Sequence, residues 1–472
     1  MAYDILVFKF ITNRKPLKKT SNVSFRGFFS DKKEDAIHLD KHFKIVPSGI
    51  KLEKHVPYKS LVLHSYEIDL LKHIYIHRQL RAPSVHELIK VLSGKNIESS
   101  NISNRLRKLV ESGAVNRNKE LIHDMSGNFV RYSYRVGTRG LEVLKFLNII
   151  TKDQVRQYLS NPHNNKFPAF HNKVASTITN SISIALLKTQ IDFRFCRGIN
   201  HYLLGNDNYT KEIEHRGLII PDYVFEDDNK IVCIEIDTGT QRTQVISSKI
   251  QKYIKQANSK EFRNFDLHIV FVVVDNSISD TYETDRARRV YSLKSTFLAG
   301  FELPSNLHLY AINSIHSPTL ISNILNPQNI LETIEQDFMC EDFMELYNER
   351  YNQYFKKVEI EPAPIRFNGV YEYSKSGTKH IIYLMYRMAA DLSDYQKSES
   401  AIRYLSSRIT ASEKIILMYV YDNASSALSD VTSAADADIT IAASYVPEED
   451  EELVVYKHTA LLTKKAVKGV IL

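Results

Sequence analysis

Ile219-Ile-Pro-Asp222-Tyr-Val-Phe-Glu-Asp-Asp228-Asn-Lys230-Ile-Val-Cys-Ile-Glu235-Ile-Asp237-Thr-Gly-Thr240 sets two β-rich runs, Leu218 to Phe225 and Lys230 to Asp237, around the turn signal Asp227-Asp228-Asn229. The pattern reads as a hairpin. With the turn centred between Asp228 and Asn229, Asp222 falls opposite Glu235. Cross-strand Cβ atoms there are about 5 Å apart, and like charges destabilise the sheet unless a cation offsets them. Asp237 lies two residues beyond Glu235 and shares its face, while Val232, Ile234 and Ile236 point to the core side. A hard divalent cation, Mg²⁺ or Mn²⁺, is the natural occupant of such a cluster. The alternative is a solvated acidic face, and a slip of one residue in register removes the cluster.

The flanking pattern extends the plan. His171 to Lys188 has helical apolar spacing (Val174, Ile178, Ile182, Leu186), and Ile191 to Ile199 reads as a strand. After the hairpin come a helix from about Thr243 to Gln256, a buried strand Leu267 to Val274, a helix from about Tyr282 to Ala299 and a strand Leu307 to Ile312. This order, with Pro221-Asp222 and Glu235-Ile-Asp237, resembles the PD-(D/E)XK nuclease superfamily. The resemblance implies a metal-binding, DNA-cleaving site on Asp222, Glu235 and Asp237. One position departs from the pattern: active members usually carry Lys two residues after the second-strand acid, where this chain has Asp237. Lys249 or Lys252 of the next helix is the candidate substitute, and without one the site binds metal or DNA but cuts nothing. His171 stands where superfamily members carry an auxiliary acid, or is simply a helix-end histidine.

Upstream, Tyr66 to Gln79 and Ser84 to Leu92 read as helices, the second with Ser84 as N-cap and Glu87 completing a capping box. A third helix runs from Ser99 or Ser100 to Ser112. A hairpin follows, Ala114 to Leu121 and Phe129 to Val136, turning at Ser126-Gly127-Asn128. Three helices and a β-wing make a winged helix-turn-helix. Its third helix carries Asn101, Ser103, Asn104, Arg105, Arg107 and Lys108, which suit a major groove, and Arg117, Lys119 and Arg131 on the wing suit phosphates. The alternatives are a winged helix used for protein contacts and a merely charged surface helix. Charge favours DNA: residues 1 to 140 hold 26 Lys plus Arg against 13 Asp plus Glu, a net +13, so with +7 overall the remainder carries −6. No basic amphipathic helix with bulky apolar anchors accompanies this charge, which argues against a membrane partner.

At 472 residues the chain has room for two to four domains. No apolar run is long enough to span a bilayer, and the first residues lack a signal pattern. The three cysteines, Cys196, Cys233 and Cys340, lie far apart and read as buried thiols of a reducing compartment, so a cytoplasmic protein is expected. His73 and His77, four apart on the first helix, have no third ligand nearby and read as surface histidines, as do His38 and His42. Neither a Walker loop nor a dinucleotide fingerprint is present.

A winged helix, then His171, Pro221-Asp222, Glu235-Ile-Asp237-Thr-Gly-Thr, Lys249 and Tyr253, resembles the replication-relaxation family of plasmids and mobile elements over roughly Tyr66 to Asn276. The family often has Arg before the Gly, where this chain has Thr238. The resemblance implies a DNA-binding protein in replication, maintenance or mobilisation of an extrachromosomal element; double-stranded DNA is the expected partner, with a homodimer or other replication or mobilisation proteins as the further partners considered. Two alternatives stay open: an active Mg- or Mn-dependent endonuclease, with Asp222, Glu235, Asp237, Lys249 and Lys252 as its site, and a transcription regulator. The expected fold is multidomain α/β. A basic arm or small β element (1–62) precedes the winged helix (63–150), followed by a nuclease-like α/β domain (151–325), a helical linker (326–365) and a smaller C-terminal α/β domain (366–472).

Overall fold

The computed structural model describes residues 8–10, 43–124, 127–160, 170–191, 193–197, 219–227, 229–259, 262–283, 286–298, 301–326, 333–359, 363–375, 377–410, 412–431, 439–448, 451–459 and 463–467. The chain divides into two compact units, Met1–Arg216 with Ile220–Asp227 and Gly217–Ile219 with Asp228–Leu472.

In the first unit, β1 (Phe8–Phe10) is followed by β2 (Phe43–Val46), β3 (Gly49–Leu52) and β4 (Leu61–Leu63), the last three forming an antiparallel sheet. Three helices come next: α1 (Ser65–His77), α2 (Ala82–Ser93) after the two-residue strand β5 (Leu80–Arg81), and α3 (Ser99–Glu111). An antiparallel ribbon, β6 (Val115–Asp124) and β7 (Gly127–Val136), leads into α4 (Thr138–Phe146) and α5 (Lys152–Ser160). The small sheet is pinned to these helices through Arg139 of α4, which donates to Glu53 O at 2.7 Å and Ser112 O at 3.1 Å. Residues 43–63 therefore pack as one body with the helices that follow them.

Two sequence expectations change here. α2 starts at Ala82, with Arg81 as N-cap and Pro83 in the first turn, so Ser84 is not the cap. Proline's fixed φ and missing N–H suit a first helical turn, where that donor has no intrahelical partner. Glu87 instead pairs with Lys188 at 2.8 Å. His73 and His77, expected at the surface, are fully buried. Burial, with help from the Lys72 charge, pushes His73 down to about 3, so the ring sits neutral in the core. The helix α6 (Phe170–Lys188) covers this region: Thr179 Oγ1 lies 3.3 Å from His77 Nδ1, and Ser176 Oγ donates to His77 O. Strand β8 (Phe193–Arg197) pairs antiparallel with β1 on one side and with β9 (Tyr223–Glu226) on the other.

The second unit opens with β10 (Lys230–Asp237), which crosses through α7 (Thr243–Ala257) to its parallel partner β11 (Asp266–Val273). α8 (Ala287–Leu298) leads to a third parallel strand, β12 (Leu307–Asn313), and then α9 (Ser317–Leu325). Residues 231 to 237 are all buried, so β10 is covered on both faces. That is the usual state of a strand in a helix-flanked parallel sheet.

The C-terminal half of this unit is a second sheet. α10 (Thr333–Tyr351) precedes β13 (Lys356–Lys357), β14 (Gly369–Lys375), β15 (Thr378–Tyr386), α11 (Leu392–Ser406), β16 (Glu413–Tyr421), α12 (Ala424–Ser429), β17 (Ile439–Tyr445), β18 (Val455–Thr459) and β19 (Thr463–Val467). The strands lie in chain order, with β15, β16 and β17 parallel and the outer pairs antiparallel. Along β16 the side chains alternate. Ile415, Leu417, Tyr419 and Tyr421 pack with Ala401 and Leu405 of α11, and Ile416, Met418 and Val420 pack with Phe343, Met344 and Tyr347 of α10. The helix read as a linker is thus half of a core. Its acidic, tyrosine-rich sequence masked the apolar stripe Cys340, Phe343, Met344 and Tyr347.

Among the described residues no helix is long and apolar enough to cross a membrane. Cys233 and Cys340 are buried free thiols; the Cys196 side chain lies outside the described residues, as do His38 and His42.

Candidate nucleic-acid interface and carboxylate site

Helix α3 buries Ile102, Leu106 and Leu109, spaced four and three apart, which fixes the arc left to solvent. Asn101, Ser103, Asn104, Arg107 and Lys108 are all exposed on it. The side chains of Asn101, Ser103 and Asn104 make no hydrogen bond among the described residues, so they are not spent on capping; the N-cap is Glu98. Arg107 makes one long contact, 3.4 Å, to Glu111.

Arg105 departs from the expectation that it faces a groove. Its Nε and Nη2 donate to the two Glu67 oxygens at 2.5 Å each, and Nη2 also donates to Val62 O at 2.5 Å. Glu67 is fully buried and accepts further from His64 N at 2.8 Å. Burial opposes the Arg105 charge, but the hydrogen bond and charge of Glu67 outweigh it and raise its pKa. Arg105 therefore ties α3 to α1 and β4. On the ribbon, Arg117 and Lys119 are exposed, and the Arg117 guanidinium sits 4.8 Å from the centre of the Tyr132 ring. The Arg131 side chain lies outside the described residues.

The predicted acids are each held by a cation or a histidine. In the first unit, His171 Nε2 lies 3.2 Å from Asp222 Oδ1. In the second, Glu235 is buried and both its oxygens accept: Oε2 from Lys249 Nζ at 2.5 Å and Oε1 from Tyr253 OH at 2.6 Å. Lys249, not Lys252, is the lysine that reaches Glu235; Lys252 is exposed. Asp237, also buried, accepts from Arg289 Nε at 2.6 Å and Nη2 at 3.1 Å, and from Gly239 N at 2.9 Å. The Gly239 turn has φ +83°, and a Cβ there would collide with the Arg286 guanidinium, which accounts for glycine at this point of the motif.

The carboxylates of the second unit already accept from Lys249, Tyr253 and Arg289, so their negative charge is offset by cations of the protein itself. Among the described residues no group of three or more His, Cys, Asp or Glu side chains is placed to hold a metal ion. Asp228 of the expected hairpin turn lies outside the described residues. Sequence reasoning missed Glu67 and Arg289. Arg289 lies 52 positions from Asp237 and nothing local marks it. Tyr253 had a signal: it stands four after Lys249, on the same helix face.

A cavity of about 200 Å³ lies in the second unit, lined by Ile312, His316, Tyr386, Asp391, Lys397 and Asp422 among others. Its carboxylates are used within the protein: Asp391 caps α11 through Ser393 N, and Asp422 accepts from Asn323.

These features define a mixed α/β protein of several sheets, with an exposed polar and basic helix face in one unit and cation-neutralised acids at the end of a parallel strand in the other. Residues 71–267 match the sequence profile of the replication-relaxation family. Comparison with curated proteins gave no match. Among solved structures, the chain is similar to restriction endonuclease FokI bound to DNA, at 10% identity and a TM-score of 0.14, covering 76% of this chain and 60% of that one. A second FokI structure gives 12%, 0.15, 75% and 60%. The chain thus spans 60% of the length of each, and at such TM-scores the fold is read from its own strand topology.

Proposed function

We propose that this protein is a DNA-binding factor acting in replication, maintenance or mobilisation of a plasmid or mobile element. The order of three helices and an antiparallel ribbon is that of a winged helix, whose third helix enters the major groove. One observation carries the reading: the exposed arc of α3 presents Asn101, Ser103 and Asn104 unbonded beside Arg107 and Lys108. Asparagine matches adenine and arginine matches guanine through paired hydrogen bonds, each worth about 1–3 kcal/mol of discrimination. Arg117 and Lys119 of the ribbon supply phosphate contacts.

The test is selection from a pool of random-sequence duplexes. The wild type should enrich one motif, and Asn101→Ala/Asn104→Ala/Arg107→Ala should lose at least about 100-fold in affinity for it. A wild type that enriches nothing would sink the proposal.

A second reading, a metal-dependent endonuclease, is favoured by the Lys249–Glu235 contact, which supplies from α7 the cation that Asp237 displaces from its usual place. Mg²⁺ or Mn²⁺ at Glu235 and Asp237 would have to compete with Lys249 and Arg289. Incubation with supercoiled plasmid in Mg²⁺, Mn²⁺ or EDTA separates the readings. On the binding proposal neither wild type nor Glu235→Ala nicks the plasmid; metal-dependent nicking lost in Glu235→Ala would establish the enzyme instead.

A further inference from the structure

Residues 238 to 260 contain five Lys or Arg and no Asp or Glu, within a portion of the chain that is otherwise acidic. By contrast, α10 of the same unit carries six Asp or Glu and one Arg. The charge along 238–260 is also sorted by exposure. Ile246, Ile250, Tyr253 and Ala257 of α7 are buried, while Gln244, Val245, Ser248, Gln251, Lys252 and Lys255 are exposed, with Arg242 exposed at the N-cap. Every polar side chain on that exposed arc can donate a hydrogen bond, and none is anionic. Lys249, at the edge of the arc, is the lysine committed to Glu235. Arg242, Lys252 and Lys255 have no ion-pair partner among the described residues.

A solvated helix face normally mixes both signs, because i,i+4 pairs of opposite charge add stability and pairs of like charge subtract it. Lys252 and Lys255, three apart and without an ion-pair partner among the described residues, forgo that gain. Donors repeated along one face match the repeated oxygens of a phosphate backbone, which makes no demand on sequence.

We infer that the exposed face of α7, through Arg242, Lys252 and Lys255, is a second and sequence-independent contact for a nucleic-acid backbone, separate from α3. The inference rests on the DNA-binding reading above and adds to it a nonspecific anchor in the other unit.

The experiment measures affinity of the full chain for a short random-sequence labelled duplex across a KCl series. Three proteins are compared: wild type, Arg242→Ala/Lys252→Ala/Lys255→Ala, and Asn101→Ala/Asn104→Ala. Each lost phosphate contact removes about 0.9 from the slope of log K against log salt, so the α7 variant should lose about 2–3 from that slope. The α3 variant, which removes no charge, should keep the wild-type slope and lose only its preference for the selected motif. Alanine suits the helix at 252 and 255, and the Arg242 side chain makes no capping bond, so melting midpoints should match wild type and exclude unfolding as the cause.

An unchanged slope in the α7 variant, with motif preference still dependent on α3, would overturn this inference and leave the DNA-binding proposal standing. A wild type that binds no duplex at low salt would remove both. Binding to phosphatidylglycerol vesicles but not to duplex, lost in the α7 variant, would assign the face to a membrane and overturn the inference as well.

Discussion

Asp430→Ala should destabilise the second unit by about 3–5 kcal/mol, the range for leaving buried charge uncompensated. Asp430 accepts from Lys294 Nζ at 2.9 Å, from Arg387 Nε at 3.0 Å and Nη2 at 2.8 Å, from Tyr421 OH at 2.8 Å and from Ala390 N at 2.9 Å. Lys294, Arg387 and Asp430 are all buried, and Arg387 is among the largest fully enclosed side chains. Burial pushes the Lys294 ammonium down, and Asp430 restores it only in part. Burial likewise opposes the Arg387 charge, but Asp430 first and then Tyr421 raise it. Removing the carboxylate strands two cations, one on α8 and one just after β15, and so loosens the packing of α8 against α11. Tyr421→Phe removes one hydrogen bond and should cost about 1 kcal/mol. Urea melts of both variants provide the check. An Asp430→Ala protein no less stable than Tyr421→Phe would mean that the network is not holding these layers together.

Glu67→Ala should abolish motif selection without touching DNA. It releases Arg105 from α1 and leaves His64 N without its acceptor, at about 2–3 kcal/mol; Arg105 is partly exposed and regains some water, which keeps the cost below that of Asp430. The larger effect is on α3, whose orientation relative to α1 and β4 depends on that guanidinium. Lys at 105 keeps the charge but cannot make the paired contact, so Arg105→Lys should fold near wild-type stability and still lose selectivity. Selection from the random pool, with a melt alongside, reads both effects. Full selectivity in a folded Glu67→Ala protein would show that α3 is positioned by its apolar face alone.

The carboxylates show how far local pattern carries. Glu235 and Asp237 were legible as acids in an apolar strand, and Lys249 as a lysine on the next helix. Burial of β10 on both faces was not legible, because the helix that covers a strand is set by the crossover and not by the strand's own alternation. His73 and His77 went astray for the same reason: four-residue spacing puts two rings on one helix face but says nothing of α6 lying across it.

By itself the sequence determined most of the helices and strands from α1 onward and their order. Periods of two and of 3.6 residues, turn residues and the apolar stripe of α3 are properties of a few neighbouring positions. It also determined where positive charge gathers. Tertiary structure alone decided which charges are satisfied and which are offered outward. Arg105 and Arg107 differ by two positions on one helix, yet one is bound to a buried glutamate and the other faces water. Lys249 and Lys252 divide in the same way. The physical reason is that desolvation and ion pairing depend on residues brought close from elsewhere in the chain, and the strength of both is set by burial that no local window contains.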